Sequence, residues 1–224
     1  MLERVGSFFD FFGLGEGDRA YALRLAGVAA DRAREMMELK DYEALAAIML
    51  YSKPRIIFEI GTYLGVTSDF FLDLLPTCQV VSIAYPERRW WYLGKRYNNT
   101  ELSRKQIGSA VKPESRARFT QLYGNSHQLQ ANRLVDEFGR FDIVFIDGDH
   151  TRDGVLEDTR LAREVISESG VICWHDANPK PKYRAVREFL EAELQLNAIA
   201  TRDTYIGGIA CWSGEVERKL GRSK

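Results

Sequence analysis

Three histidines occur in this 224-residue chain, and each closely follows an apolar run of β-strand character. His127 stands after Phe119–Tyr123, in Gly124-Asn125-Ser126-His127. His150 stands after Phe141–Ile146, in Asp147-Gly148-Asp149-His150, and His175 opens His175-Asp176-Ala177-Asn178 after Val171–Trp174. Asp147, Asp149 and Asp176 share those ends. One histidine in a loop is usually incidental, but three of three beside three carboxylates define a candidate functional edge. Carboxylates and imidazoles hold divalent metals. An imidazole near neutral pKa also takes or gives a proton. The chemistry within reach is therefore proton transfer, or metal-assisted activation of a hydroxyl.

The elements that must position these groups read as a doubly wound α/β fold. Ile56, Ile57, Phe58 and Ile60 make a near-continuous apolar strand suited to a buried parallel sheet. It ends in Gly61-Thr62-Tyr63-Leu64-Gly65, and a helix then starts behind Thr67 and Ser68, carries Phe70, Phe71, Leu74 and Leu75, and stops at Pro76. Further strands are expected at Val80–Ile83, Phe119–Tyr123, Phe141–Ile146 and Val171–Trp174. Ala198–Thr201 and Ile206–Trp212 should form an antiparallel pair at the end of the sheet. The expectation is a mostly parallel seven-stranded sheet with an antiparallel last strand, plus N-terminal helices over 20–39 and 41–51. Helices with Val155, Thr159, Ala162 and Ile166 inward, ending at Gly170, and over Tyr183–Leu194 complete it. In such sheets ligands bind beyond the carboxyl ends of the strands.

The glycines of the first corner read G-x-x-x-G, not the G-x-G-x-x-G of dinucleotide sites. Glu59 precedes them by two residues. A turn built for pyrophosphate presents helix N–H groups and few anions, so an acid here suits a ligand carrying a cation or ribose hydroxyls. At the end of the second strand Ala84 stands where nucleotide-binding folds usually place a ribose-binding acid, with Glu87 the nearest substitute.

Hydrophobic content of 45% and charged content of 28% describe a globular protein. A net charge of −1 argues against general nucleic-acid affinity. No run of 18 apolar residues exists to cross a membrane and no signal peptide shows, so a cytoplasmic location is expected. Cys78, Cys173 and Cys211 lack metal-site spacing and read as buried free thiols. Organisation is expected as an N-terminal arm and helix over 1–40, a main domain over 41–214 and a tail over 215–224. Phe8, Phe9, Phe11 and Phe12 lie in the arm. They fit a short element packing on its own domain or, as a homo-oligomer contact, on a twin subunit. Residues 86–118 carry nine basic residues against three acids, interleaved with Trp90, Trp91, Tyr92 and Tyr97. Cations with aromatics could bind an anionic or glycosylated small molecule. Alternatively, they form a helix with its aromatics in the core followed by a solvated basic loop.

E-x-G-x-x-x-G is the first motif of the S-adenosylmethionine-dependent methyltransferases. From about Tyr42 to Trp212 the chain resembles their class I. Within that class it resembles the family holding macrocin O-methyltransferases and cephalosporin-hydroxylase-type proteins. The resemblance lies in F-E-I-G-T-Y-L-G-V-T-S, Q-L-Y-G-N-S, F-D-I-V-F-I-D-G-D-H-T-R-D-G-V-L-E-D and G-V-I-C-W-H-D. It implies a Rossmann-like fold and S-adenosylmethionine bound by Glu59, Gly61, Tyr63, Gly65, Thr67, Ser68, Asn125, Ser126 and Asp147. It also implies a divalent metal on Asp147, His175 and Asp176, with His150, His175 and Asp147 as the catalytic groups and His150 the preferred base. An acid is more usual where His175 stands, and an imidazole tilts the site from magnesium toward a transition metal. The implied reaction is methyl transfer to a hydroxyl of a sugar or polyol-bearing small molecule. The alternatives are another metal-dependent reaction on the same fold, such as hydroxylation or hydrolysis, and a non-catalytic ligand-binding protein.

Overall fold

A computed structural model describes residues 2–33, 36–86, 102–178, 184–194, 196–202, 204 and 207–221, together with the backbone of 89–92 and 95–98. The chain opens with β1 (Leu2–Val5), α1 (Phe8–Phe12), α2 (Glu16–Ala33) and α3 (Leu39–Ser52). There follow β2 (Ile56–Ile60), α4 (Val66–Leu74) and β3 (Gln79–Ala84), then the hairpin β4 (Arg89–Tyr92) and β5 (Lys95–Asn98). The remainder runs β6 (Phe119–Tyr123), α5 (Ala131–Phe138), β7 (Phe141–Ile146), α6 (Arg152–Val165), β8 (Ile166–Trp174), α7 (Arg184–Glu188), β9 (Ala198–Thr201), β10 (Ala210–Trp212) and α8 (Gly214–Lys219).

Eight strands form one sheet in the order β1-β9-β10-β8-β7-β2-β3-β6. Pairs β2–β3, β2–β7, β3–β6 and β7–β8 are parallel, and β10 runs antiparallel to both β8 and β9. This is the expected Rossmann-like sheet with one strand more than the seven expected. The eighth is β1, parallel to β9 with Leu2 opposite Ala198. Strand order reverses at β2, with β3 on one side and β7 on the other. That switch point is where an open α/β sheet leaves a crevice for ligands.

Period-two alternation sends successive strand residues to opposite cores. Ile57 joins the core under α1–α4, and Phe58 and Ile60 join the core under α5–α7. Phe70, Phe71 and Leu74 of α4 fill the first core; Val155, Leu161, Ala162 and Val165 of α6 fill the second. Phe8, Phe9 and Phe12 are buried in the first core, so most of the apolar face of the arm is taken up by its own chain. Cys78, Cys173 and Cys211 are buried free thiols, as expected.

Several boundaries differ from expectation: the helix expected over 20–39 is Glu16–Ala33, and the last strand, expected over 206–212, is Ala210–Trp212. Helix α6 stops at Val165, and β8 starts at Ile166 with a register shift against β7 before Val171. The helix expected over Tyr183–Leu194 is an α turn, Arg184–Glu188, continued by a π turn, Phe189–Glu193; Tyr183 lies outside the described residues. The 86–118 segment is not a helix followed by a loop: its first half forms β4–β5, in keeping with the β preference of aromatic residues. Among the described residues no helix is long and apolar enough to cross a membrane.

Candidate active site

The turn after β2 touches the end of β7. Gly61 adopts φ +105°, and a Cβ there would lie 2.6 Å from the carbonyl carbon of Asp147. Backbone bonds lock the junction: Gly61 N donates to Ile83 O at 2.9 Å and Asp147 N to Ile60 O at 2.8 Å. Gly65, at φ +84°, precedes α4 and packs on Gly108, while Gly108 N and Ala110 N donate to the carbonyls of Tyr63 and Leu64 at 3.0 and 2.8 Å. Tyr63 is half-exposed at φ 46°.

This corner opens into a cavity of about 980 Å³ along the carboxyl edge of the sheet. Seven of the nine expected cofactor residues line it: Gly61, Tyr63, Gly65, Thr67, Asn125, Ser126 and Asp147. Glu59 and Ser68 do not; both are fully buried behind the turn. Ser68 Oγ donates to Glu59 Oε2, and Ser82 Oγ does so at 2.5 Å, while Oε1 has no hydrogen-bond partner. Burial outweighs these bonds and pushes the Glu59 carboxyl up to about 7. Glu59 therefore supports the turn from beneath. Ala84 and Tyr85 line the cavity at the end of β3, and Glu87 lies outside the described residues. Asn125 Oδ1 accepts the His127 N–H at 3.0 Å, which caps the turn after β6.

At the other end of the cavity four side chains converge. His150 Nε2 lies 2.8 Å from Asp176 Oδ2 and 3.4 Å from Asp147 Oδ1. His175 Nδ1 lies 3.2 Å from Asp147 Oδ1 and 3.5 Å from Asp176 Oδ2. Asp176 holds φ 59°, a left-handed conformation that aspartate tolerates better than most residues. Burial opposes the charge on both histidines, but the bonds to and charges on Asp147 and Asp176 prevail; His150 is pushed up to about 10 and His175 well above its usual value. Burial likewise disfavours the two carboxylates, and the histidines override it to hold both below the usual range. With no cation beside them, the two carboxylates favour the protonated form of both imidazoles.

The structure separates the other two edge residues from this cluster. His127 lines the cavity but faces Asp158 at 3.4 Å, and Asp149 Oδ1 accepts the Thr151 N–H at 2.9 Å at the head of α6. Asp158, which takes the Ser126 hydroxyl at 2.7 Å, was readable as an acid on the inward stripe of α6. Two further contributors escaped the sequence reading. Arg32 of α2 lines the cavity and donates to Asp69 Oδ2 at 2.5 Å and Ala110 O at 2.6 Å. Asp41 of α3 lies 3.4 Å from His175 Nε2. Basic residues of the 86–118 segment also serve the scaffold. Arg116 donates to Gly108 O at 2.6 Å, and Arg118 donates to the carbonyls of Leu72, Leu75 and Cys78 at 2.9–3.1 Å.

Asp147, His175 and Asp176 each offer one ligand atom, all within 4.8 Å of one another. Asp176 Oδ2 is buried without an aligned hydrogen bond despite its proximity to His150. In the structure that oxygen already faces the His150 imidazole, and the mixed oxygen and nitrogen donor set of the three residues also fits a divalent cation.

A doubly wound sheet thus carries a glycine turn at its switch point and an acid–imidazole cluster beside it, both on one cavity. Residues 58–177 match the methyltransferase-domain family, and the chain belongs to it. No curated protein matches by sequence. Among solved structures, an O-methyltransferase from Bacillus cereus in complex with S-adenosylhomocysteine superposes with a TM-score of 0.56 at 18% identity, over 88% of this chain and 90% of that one. One from Streptomyces achromogenes involved in tomaymycin synthesis, in complex with S-adenosylmethionine, gives 0.52 at 18% identity over 84% and 89%. A TDP-rhamnose 3′-O-methyltransferase of calicheamicin biosynthesis gives 0.52 at 11% identity over 86% and 79%. At these identities the structures share the fold.

Proposed function

We propose that this methyltransferase moves the methyl group of S-adenosylmethionine to a hydroxyl of a small molecule, with a divalent cation on Asp147, His175 and Asp176. The observation that carries the reading is the contact of Gly61 with Asp147, which puts the glycine turn and the acid–imidazole cluster in one cavity. The sugar or polyol class of acceptor rests on the sequence resemblance and on the named acceptor of the TDP-rhamnose enzyme.

Methyl transfer is an in-line displacement, so positioning of the two reactants supplies most of the catalysis. Gly61, Tyr63, Gly65 and Thr67 would seat the methionine and ribose half of the cofactor, with Asn125 and Ser126 at its base. Ala84 offers no acid to the ribose, so the turn and its backbone N–H groups carry more of the binding. A dication would acidify an acceptor hydroxyl placed beside it and offset the negative charge that keeps His150 protonated. His150, on the open side of the cluster, would then take the hydroxyl proton at Nε2.

Calorimetric titration of the purified protein with S-adenosylhomocysteine, with and without divalent metal, tests this. A Kd on the order of micromolar, about −8 kcal/mol, is expected. No binding under either condition would overturn the reading and leave the edge as a metal site for other chemistry, such as hydroxylation or hydrolysis.

A further inference from the structure

His175 is held from both sides. Its Nδ1 faces Asp147 and Asp176, at 3.2 and 3.5 Å, while its Nε2 faces Asp41 Oδ2 at 3.4 Å. Asp41 comes from the first turn of α3, is fully buried, and stands 134 residues earlier in the chain. Two backbone donors fix its carboxylate. Gly208 N donates to Oδ1 at 2.9 Å, and Glu38 N donates to Oδ2 at 3.0 Å. Gly207 leaves room for the pair: a Cβ there would come within 2.7 Å of His175 Cε1 and 3.1 Å of Asp41 Oδ2.

We propose that Asp41 is a positioning residue that holds the Nε2–H of His175, so that Nδ1 turns its lone pair toward Asp147 and Asp176 and the site selects a transition-metal dication over magnesium. This rests on the reading above that those three residues hold a cation. A histidine that ligates through one ring nitrogen carries its remaining proton on the other, and a carboxylate on that N–H fixes the ring and strengthens it as a donor. Capping α3 would need only a neutral acceptor such as Asn or Ser, so capping alone does not explain a buried carboxylate aimed at an imidazole. Nitrogen donors favour the later divalent metals, whereas magnesium prefers oxygen ligands and keeps its water.

The test is calorimetric titration of the full chain with CoCl₂ and with MgCl₂. Wild type should bind cobalt more tightly than magnesium. Asp41→Asn keeps one oxygen for Gly208 N–H but turns an amide N–H₂ toward Nε2, which favours the tautomer with its proton on Nδ1. Cobalt affinity should fall about 10–100-fold. In a His175→Ala background the same substitution should cause no further loss. If Asp41→Asn fails to fold, Gly207→Ala, which crowds the imidazole and leaves both ligand types in place, should show the same fall. Unchanged cobalt affinity in these variants overturns the inference and leaves the metal reading intact. Tighter binding of magnesium than cobalt overturns the selectivity. A wild-type chain that binds neither metal overturns both readings.

Discussion

The carbonyl of Asp147 occupies the space into which a side chain on Gly61 would project, with its carbon 2.6 Å from the ideal Cβ position. At φ +105° the backbone is also one that a side chain rarely adopts. Gly61→Ala should therefore cost at least about 1–3 kcal/mol and abolish S-adenosylhomocysteine binding, because the turn and Asp147 must part. Gly27, inside α2 with open space around it, is the contrast: Gly27→Ala should gain about 0.5–1 kcal/mol. Urea midpoints of the two variants check both signs. Equal midpoints would remove the steric argument.

Glu59 predicts a pH dependence of stability. Its carboxyl ordinarily titrates near 4.5, and burial behind the turn raises it to about 7. The folded state then holds a proton that the unfolded chain releases, so stability falls as pH rises from about 4.5 to about 7. Above that it stays low, by about 3 kcal/mol at most. Glu59→Gln keeps an acceptor for Ser68 and Ser82 and cannot ionise. Its stability should lose that downward slope, so unfolding curves for the two proteins should converge near pH 4.5 and separate by pH 8. Parallel curves across that range would show that Glu59 ionises at its ordinary pKa.

Much of the sheet was legible because its central strands are buried on both faces and read as unbroken apolar runs. The central strand Phe141–Ile146 has the bounds expected from sequence, and so has the half-exposed edge strand Phe119–Tyr123, which its aromatic ends mark instead. Leu2–Val5 was not legible. Two of its four residues are charged, and only pairing with β9 makes it a strand. The charge of the 86–118 segment pointed toward an anionic substrate, yet Arg116 and Arg118 serve backbone carbonyls that sequence cannot show as unpaired. The three strand-end histidines were visible as a set, but their division was not. His127 turns to Asp158, and His150 and His175 turn to Asp147 and Asp176, because each depends on which loop meets which helix. Asp41 reads as an ordinary first-turn acid of a helix. Its contact with His175 spans 134 residues.

Arg118 closes the C-terminal end of α4 from outside the helix. Its guanidinium reaches Leu72 O and Cys78 O at 2.9 Å and Leu75 O at 3.1 Å; Leu72 O is left open where the helix stops before Pro76, while Leu75 O also accepts the Cys78 N–H at 3.0 Å. Arg118→Met keeps the apolar stem and removes all three bonds. It should lower stability by about 1.5–3 kcal/mol, given that charged donors are lost from partly buried carbonyls. Arg118→Lys should recover only part, because an ammonium cannot span three acceptors in a fork. S-adenosylhomocysteine affinity should stay near the wild-type value in both. A variant with full stability would show that water replaces the guanidinium.

Under the proposed function, Asp176 should separate the chemistry of the site from cofactor binding. It stands after β8, while the glycine turn abuts Asp147 after β7, so removal of its charge leaves the turn untouched. Its φ of 59° makes alanine a poor probe, since the strain of a left-handed residue would mix with the loss of the carboxylate. Asparagine tolerates that conformation and keeps one oxygen. Asp176→Asn should lower methyl transfer to an accepted hydroxyl substrate by two orders of magnitude or so, roughly the loss of one electrostatic group at a reacting centre. The Kd for S-adenosylhomocysteine should change little. Chelation of divalent metal should do the same to the wild type and add nothing to the variant. A variant that lost cofactor binding and turnover together would instead make Asp176 part of the cofactor seat, and the cluster would then have no separate role in activating the acceptor.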